Sequence, residues 1–263
     1  MADTDSAGRV ARNERTEAAS PGLDTLAGAR YSTNNVAGRT VLIAGASGAS
    51  GIAMAHALSV AGARVLAVAR SQERLDALVE QVPDADTRVC DLTNASAVAE
   101  LAMRIHLKFG PVDGLINLVG GWRGGGGLTG QSDEDWRFLE GSLTSLRNIS
   151  RTFYDDLVAS PAGRLAIVSS TSVEHPTAGG ANYVALKAAA EAWTLAIAQG
   201  FRKAASSGPS QASSGTEPTA AAVIFRVKAL AGLEETLAAS VVDLWSQDAA
   251  SVNGRTITLA ENQ

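Results

Sequence analysis

From residue 38 onward, short apolar runs alternate with stretches of helical periodicity along the whole chain. The runs at 40–44, 64–69, 87–90, 115–119, 165–169, 221–227 and 256–259 are short and almost uninterrupted by polar residues. Such runs read as strands covered on both faces. Between them, Ser71 caps a helix whose Leu75, Leu78, Val79 and Val82 share one face, and Val98, Leu101, Ala102, Ile105 and Phe109 repeat at helical spacing. Further helices are predicted at 51–61, 134–158, 183–203 and 234–245. This alternation implies right-handed crossovers and one α/β domain: a doubly wound parallel sheet of about seven strands with helices on both faces. In such sheets ligands bind at the carboxyl ends of the strands, where strand order reverses.

Composition narrows the classes further. Hydrophobic residues make up 46% and charged residues 19% of the 263 positions, which supports a globular core. A net charge of −5 offers no basic surface for nucleic acid or an anionic membrane. No apolar run approaches the ~18 residues that would mark a membrane span. The single Cys90 excludes an internal disulfide and fits a reducing, cytoplasmic location. His56, His106 and His175 lie far apart without a supporting cluster, so no metal site is expected. Residues 1–35 lack apolar periodicity and the apolar centre of a secretory signal, and read as a mobile tail before a folded unit at 36–263. Residues 204–219 (AASSGPSQASSGTEPT) read as a flexible loop.

Gly45, Gly48 and Gly51 follow the first strand directly and open the first helix. Glycines there let the backbone approach a pyrophosphate, and the helix N-terminus presents N–H groups and a positive dipole. A plain connector could use the same residues, but the position between strand and helix favours dinucleotide binding. At the end of the second strand, Ala69 supplies no carboxylate for ribose hydroxyls, and Arg70 follows with a guanidinium suited to a 2′-phosphate. NADP(H) is favoured, with NAD(H) as the alternative.

Tyr183 and Lys187 stand four residues apart in a helical stretch, hence on one face. Ser170 ends the fifth strand, 183 − 170 = 13 residues earlier. A lysine ammonium is expected to lower the tyrosine pKa and make the phenol a usable acid or base, while the serine hydroxyl holds a substrate oxygen. Tyr-x-x-x-Lys alone is a weak signal; with the serine spacing, the glycine turn and the strand order it is a coherent set.

These pieces resemble the short-chain dehydrogenase/reductase family, a Rossmann fold, over nearly all of residues 38–259. The resemblance rests on AGASGASG (44–51), CDLT (90–93), INLVGG (116–121), IVSS (167–170), YVALK (183–187) and VNGRTITL (252–259). It implies cofactor contacts from Gly45, Ser47, Gly48, Ser50, Gly51, Ile52, Arg70, Asp91, Leu92, Asn117 and Gly120, joined by Tyr183 and Lys187. It also implies hydride exchange between nicotinamide C4 and a small-molecule carbonyl or alcohol. Tyr183 would be the acid/base, Lys187 would bind the nicotinamide ribose, and Ser170 would orient the substrate. A homodimer or homotetramer is implied as well.

The sequence departs from the family in three places. Ala49 stands where the main branch has a glycine in the phosphate turn. Ser142 stands where an asparagine holds a proton-relay water. After the sixth strand, residues 224–230 run almost directly into a helix near Glu234, so the segment that usually covers the substrate is cut back. The glycine-rich stretch 120–127, with Trp122 as a flap and Arg123 as an anion contact, is a candidate replacement, or else a plain connector. Two readings follow: an NADP(H)-dependent carbonyl reductase or alcohol dehydrogenase, or a catalytically weakened binding or regulatory subunit on the same fold.

Overall fold

The computed structural model describes residues 36–207 and 217–260. The tail read at 1–35 lies outside them, as does most of the loop read at 204–219. Seven strands form one parallel sheet among the described residues: β1 (Thr40–Ala44), β2 (Arg64–Ala69), β3 (Asp86–Val89), β4 (Gly114–Asn117), β5 (Arg164–Ser170), β6 (Ala221–Val227) and β7 (Thr256–Leu259). Their order is β3-β2-β1-β4-β5-β6-β7, so strand order reverses between β1 and β4. That reversal opens a crevice at the carboxyl edge, where Ala44 pairs with Asn117.

The alternation of side chains along each strand builds two apolar layers. Val41 and Ile43 face one layer, packed under α1 (Ala49–Val60), α2 (Gln72–Gln81), α7 (Glu234–Asp243) and the short α8 (Ala249–Val252). Leu42 and Ala44 face the other, packed under α3 (Ala95–Phe109), α4 (Asp133–Thr152), α5 (Tyr154–Ala159) and α6 (Ala181–Ser206). Ser71 caps α2 by accepting from the Arg74 N–H, and Asn94 caps α3 by accepting from Ser96 and Ala97. At the opposite edge of the sheet, the buried Arg164 donates to the carbonyls of Leu244, Gly163, Thr219 and Gln247, and burial pulls its pKa down to about 10.

Beyond shifts of one or two residues at element ends, three features differ from the sequence reading. The helix expected over 134–158 is broken at Phe153, whose ring turns fully into the core and meets His106 edge-on at 5.8 Å between ring centroids. Helix α6 runs through Ser206, so the first residues of the predicted loop are helical. Two single-turn 3-10 helices, Thr171–Val173 and Ala178–Gly180, lead from β5 into α6. No described helix is long and apolar enough to cross a membrane, and the described residues hold no cluster able to bind a metal.

Candidate active site

The phosphate turn is shaped by two glycines that no other residue could replace. Gly45 sits at φ +83°, and a Cβ there would lie 2.8 Å from the Val119 nitrogen. A Cβ on Gly51 would run into the Ala46 carbonyl. The turn is tied to β2 by Gly45 and Ala46 N–H groups donating to the Val68 carbonyl at 2.9 and 3.1 Å. Gly48 is the N-cap of α1 and has open space around it, and no side chain caps the helix. The first-turn N–H groups are thus presented to a ligand, with Ser47 and Ser50 part-exposed beside them and Ile52 part-buried behind. Ala49 is exposed as the first helical residue.

Along the same edge, Arg70 is exposed just past β2, and its charge helps hold the Asp91 carboxyl below the usual range. The larger causes there are hydrogen bonds to Asp91 Oδ1 from the Thr93 hydroxyl at 2.8 Å and the Thr93 N–H at 3.0 Å. Leu92 is buried in the core, and its carbonyl accepts from Asn148 Nδ2 at 3.0 Å. Asn148 also holds the Thr93 carbonyl, so it fixes the loop that carries Asp91. Sequence reasoning missed it, because nothing local marks an asparagine that bonds 56 residues away.

Asn117 ends β4, is 6% exposed, and has no hydrogen-bond partner for its Oδ1 among the described residues. A buried polar atom left in this way points to a missing partner. Together with the open glycine turn and the uncapped helix, it fits a dinucleotide laid across the crevice. Asn117, Gly120, Ser142, Tyr183 and Lys187 line one cavity between β4, α4, β5 and α6. Ser170 stands just outside that wall. Its hydroxyl accepts from the Ser172 N–H at 3.1 Å and donates to the Ser172 hydroxyl at 3.1 Å, and it lies near enough to the Tyr183 phenol to influence its pKa.

Burial raises the Tyr183 pKa above its ordinary value, and the Ser170 hydrogen bond draws it part of the way back. The expected lowering by Lys187 is not what the geometry gives. The ammonium donates to the Val168 carbonyl at 2.8 Å and stands 5.8 Å from the centroid of the tyrosine ring. Part of Lys187 opens onto the cavity, yet protein shields it from bulk water, and this desolvation pulls its pKa down to about 8. Glu191, one turn further along α6, opposes that fall. Glu191 is itself buried and held by Arg226 on β6 through two bonds of 2.8 and 2.7 Å, while Arg226 also bonds Glu174 at 2.6 Å. The i, i+4 spacing of Lys187 and Glu191 was the one sequence signal of this network.

The family described as short chain dehydrogenase matches residues 39–205, or 167 of the 263 residues. The chain belongs to this family. Among curated relatives of this short chain dehydrogenase, 2,3-dihydro-2,3-dihydroxybenzoate dehydrogenase from Bacillus subtilis (strain 168) is 29% identical over 167 residues. That match covers 62% of this chain and 64% of the relative, so it spans less than two thirds of the relative's length. A metagenomic short-chain oxidoreductase solved with NADP superposes with a TM-score of 0.73 at 24% identity, covering 88% of this chain and 100% of that one. A short-chain type dehydrogenase/reductase from Mycobacterium ulcerans gives a TM-score of 0.73 at 18% identity, covering 86% and 89%. At these identities the solved structures establish the fold. Residues 228–233 alone connect β6 to α7 in this short chain dehydrogenase, so no covering segment follows β6.

Proposed function

We propose that the chain is an NADP(H)-dependent oxidoreductase that reduces a small-molecule carbonyl, with Tyr183 as the proton donor. The observation that carries this reading is the grouping of Tyr183, a shielded Lys187 and Ser170 at the crevice beside the unsatisfied Asn117. The glycine turn and the α1 N-terminus would hold a pyrophosphate, and Arg70, with no acid at Ala69, would pair with a 2′-phosphate. The metagenomic short-chain oxidoreductase of the same fold was solved with NADP, in keeping with a nicotinamide cofactor. When bound, the nicotinamide supplies hydride to the carbonyl carbon.

The protein's own residues do the rest. Ser170 donates to the carbonyl oxygen and keeps the phenol aligned. With its pKa raised, Tyr183 carries its proton at neutral pH and gives it to that oxygen as negative charge develops there. Lys187, cationic below about pH 8, lines the same cavity and would hold the nicotinamide ribose there. Ser142 lines the cavity in the position from which a water could return the proton. Trp136 on α4 and Leu195 on α6 remain exposed on two helices that pack together, in keeping with a homodimer or homotetramer.

The test is a panel of ketones and aldehydes with NADPH, comparing the natural chain with Tyr183→Phe. Loss of the proton donor is expected to lower turnover by about 10² to 10⁴, with NADPH affinity retained. An unchanged rate in Tyr183→Phe overturns the assignment.

A further inference from the structure

The loop between β4 and α4 is glycine-rich, yet it is held at both ends. At its start, Gly120 and Gly121 line the cavity that contains Tyr183 and Lys187. The Phe138 ring lies against Gly121, where a Cβ would be 3.1 Å away, and the Arg123 guanidinium stacks on that ring at 4.0 Å. Arg123 also stands 3.9 Å from the Asp135 carboxylate, which ties the loop to α4.

At the far end, one side chain does the fastening. Gln131 Nε2 lies 2.9 Å from the Gly125 carbonyl, 3.1 Å from that of Gly127 and 3.0 Å from that of Gly179. Its two N–H hydrogens are shared among three acceptors. Gln131 Oε1 accepts from the Asn182 N–H at 3.2 Å, and Asn182 immediately precedes Tyr183. The loop gains one direct backbone bond to the same segment, from Gly125 N–H to the Gly179 carbonyl at 2.8 Å. The approach is this close because Gly124 has no side chain: a Cβ would sit 2.5 Å from the Gly179 oxygen. A primary amide alone satisfies this site, since it must donate to three carbonyls and accept from one N–H.

We propose that Gln131 is a positioning residue that clamps the 120–130 loop to the first turn of α6, making this loop the substrate-side wall that the short connection after β6 does not provide. The proposal rests on the oxidoreductase reading above. It explains why a glycine run, which would otherwise sample many conformations, stands at a catalytic crevice. It also makes the wall and the Tyr183 backbone move together.

Amide hydrogen exchange followed by NMR on the full, cofactor-free chain tests the clamp without requiring turnover. In Gln131→Ala, the Gly125 and Asn182 amides are expected to exchange at least about tenfold faster, as two or more net hydrogen bonds are lost. In Gln131→Glu, Asn182 keeps its acceptor and its protection, while Gly125 is released because a carboxylate repels the three carbonyls. Sheet amides such as Ile116 stay unchanged in both. Unaltered Gly125 exchange in both variants overturns the clamp, and global unfolding of both makes Gln131 a determinant of the fold instead. With a carbonyl from the panel, Gln131→Ala is expected to raise KM about tenfold while the Kd for NADPH stays within about twofold. Released amides with an unchanged KM overturn the role in substrate positioning. Failure of the natural chain to bind NADPH would refute the oxidoreductase reading and leave the exchange result standing.

Discussion

Replacing Lys187 with methionine should stabilise the cofactor-free protein at neutral pH and lose that advantage in alkali. Methionine keeps the unbranched stem and removes the charge. The lysine pKa falls from 10.5 to about 8 on folding, mainly by desolvation, so the folded state holds this proton less tightly than the unfolded chain does. The gap of 10.5 − 8 = 2.5 pH units would correspond to about 3 kcal/mol at 1.36 kcal/mol per unit. Water in the cavity screens part of this, so about 2 kcal/mol is the expected cost of burying the cation. The sign follows from the depressed pKa: the full cost is present below about pH 8 and is relieved as pH rises toward 10.5. Against it, the variant leaves the Val168 carbonyl without its donor, a loss of about 1 kcal/mol that does not depend on pH. Lys187→Met should therefore be more stable by about 1 kcal/mol at pH 7 and less stable by a similar amount near pH 10.5. Urea unfolding followed by circular dichroism at pH 7, 8, 9 and 10 measures the difference, in which other titrations cancel. A difference that stays flat with pH would refute the claim that the ammonium is desolvated.

Two further outcomes follow from the same network. Arg226→Met should destabilise the fold by about 3 kcal/mol, because the Glu191 carboxylate is left buried and unpaired, and the double variant with Glu191→Gln should recover much of that; urea melts of the three proteins check it. The rate of carbonyl reduction, as kcat/KM, should fall as pH rises through about 8, when Lys187 loses its charge, and Glu191→Gln should move that fall to lower pH by removing the opposing carboxylate; a pH profile of both proteins measures it.

Much of this architecture was legible because it rests on short-range regularities. The apolar runs of β1, β2 and β6 announce strands buried on both faces, and the Gly45–Gly48–Gly51 spacing announces a turn in which Gly45 and Gly51 leave no room for a side chain. The four-residue step from Tyr183 to Lys187 places both on one face of α6, and the cavity receives both. The features that escaped depend on what lies across space. Helical periodicity continues through Phe153, so the break there is visible only once the core draws the ring inward. Gln131 reaches Gly179 across 48 positions, and Arg226 reaches Glu191 across 35. The direction of the Tyr183 shift escaped for the same reason: residue spacing brings a lysine near, but the Val168 carbonyl determines where its ammonium points.

The proposed function requires that this crevice bind NADP(H) through the glycine turn and Arg70. Fluorescence titration of the purified chain with NADPH and NADH, repeated on Arg70→Ala, tests it most directly. NADPH is expected to bind more tightly than NADH, with a Kd that rises about tenfold in the variant as one charge-assisted phosphate contact is lost, and NADH binding is expected to stay unchanged. No binding at millimolar NADPH, or a preference for NADH, would contradict it.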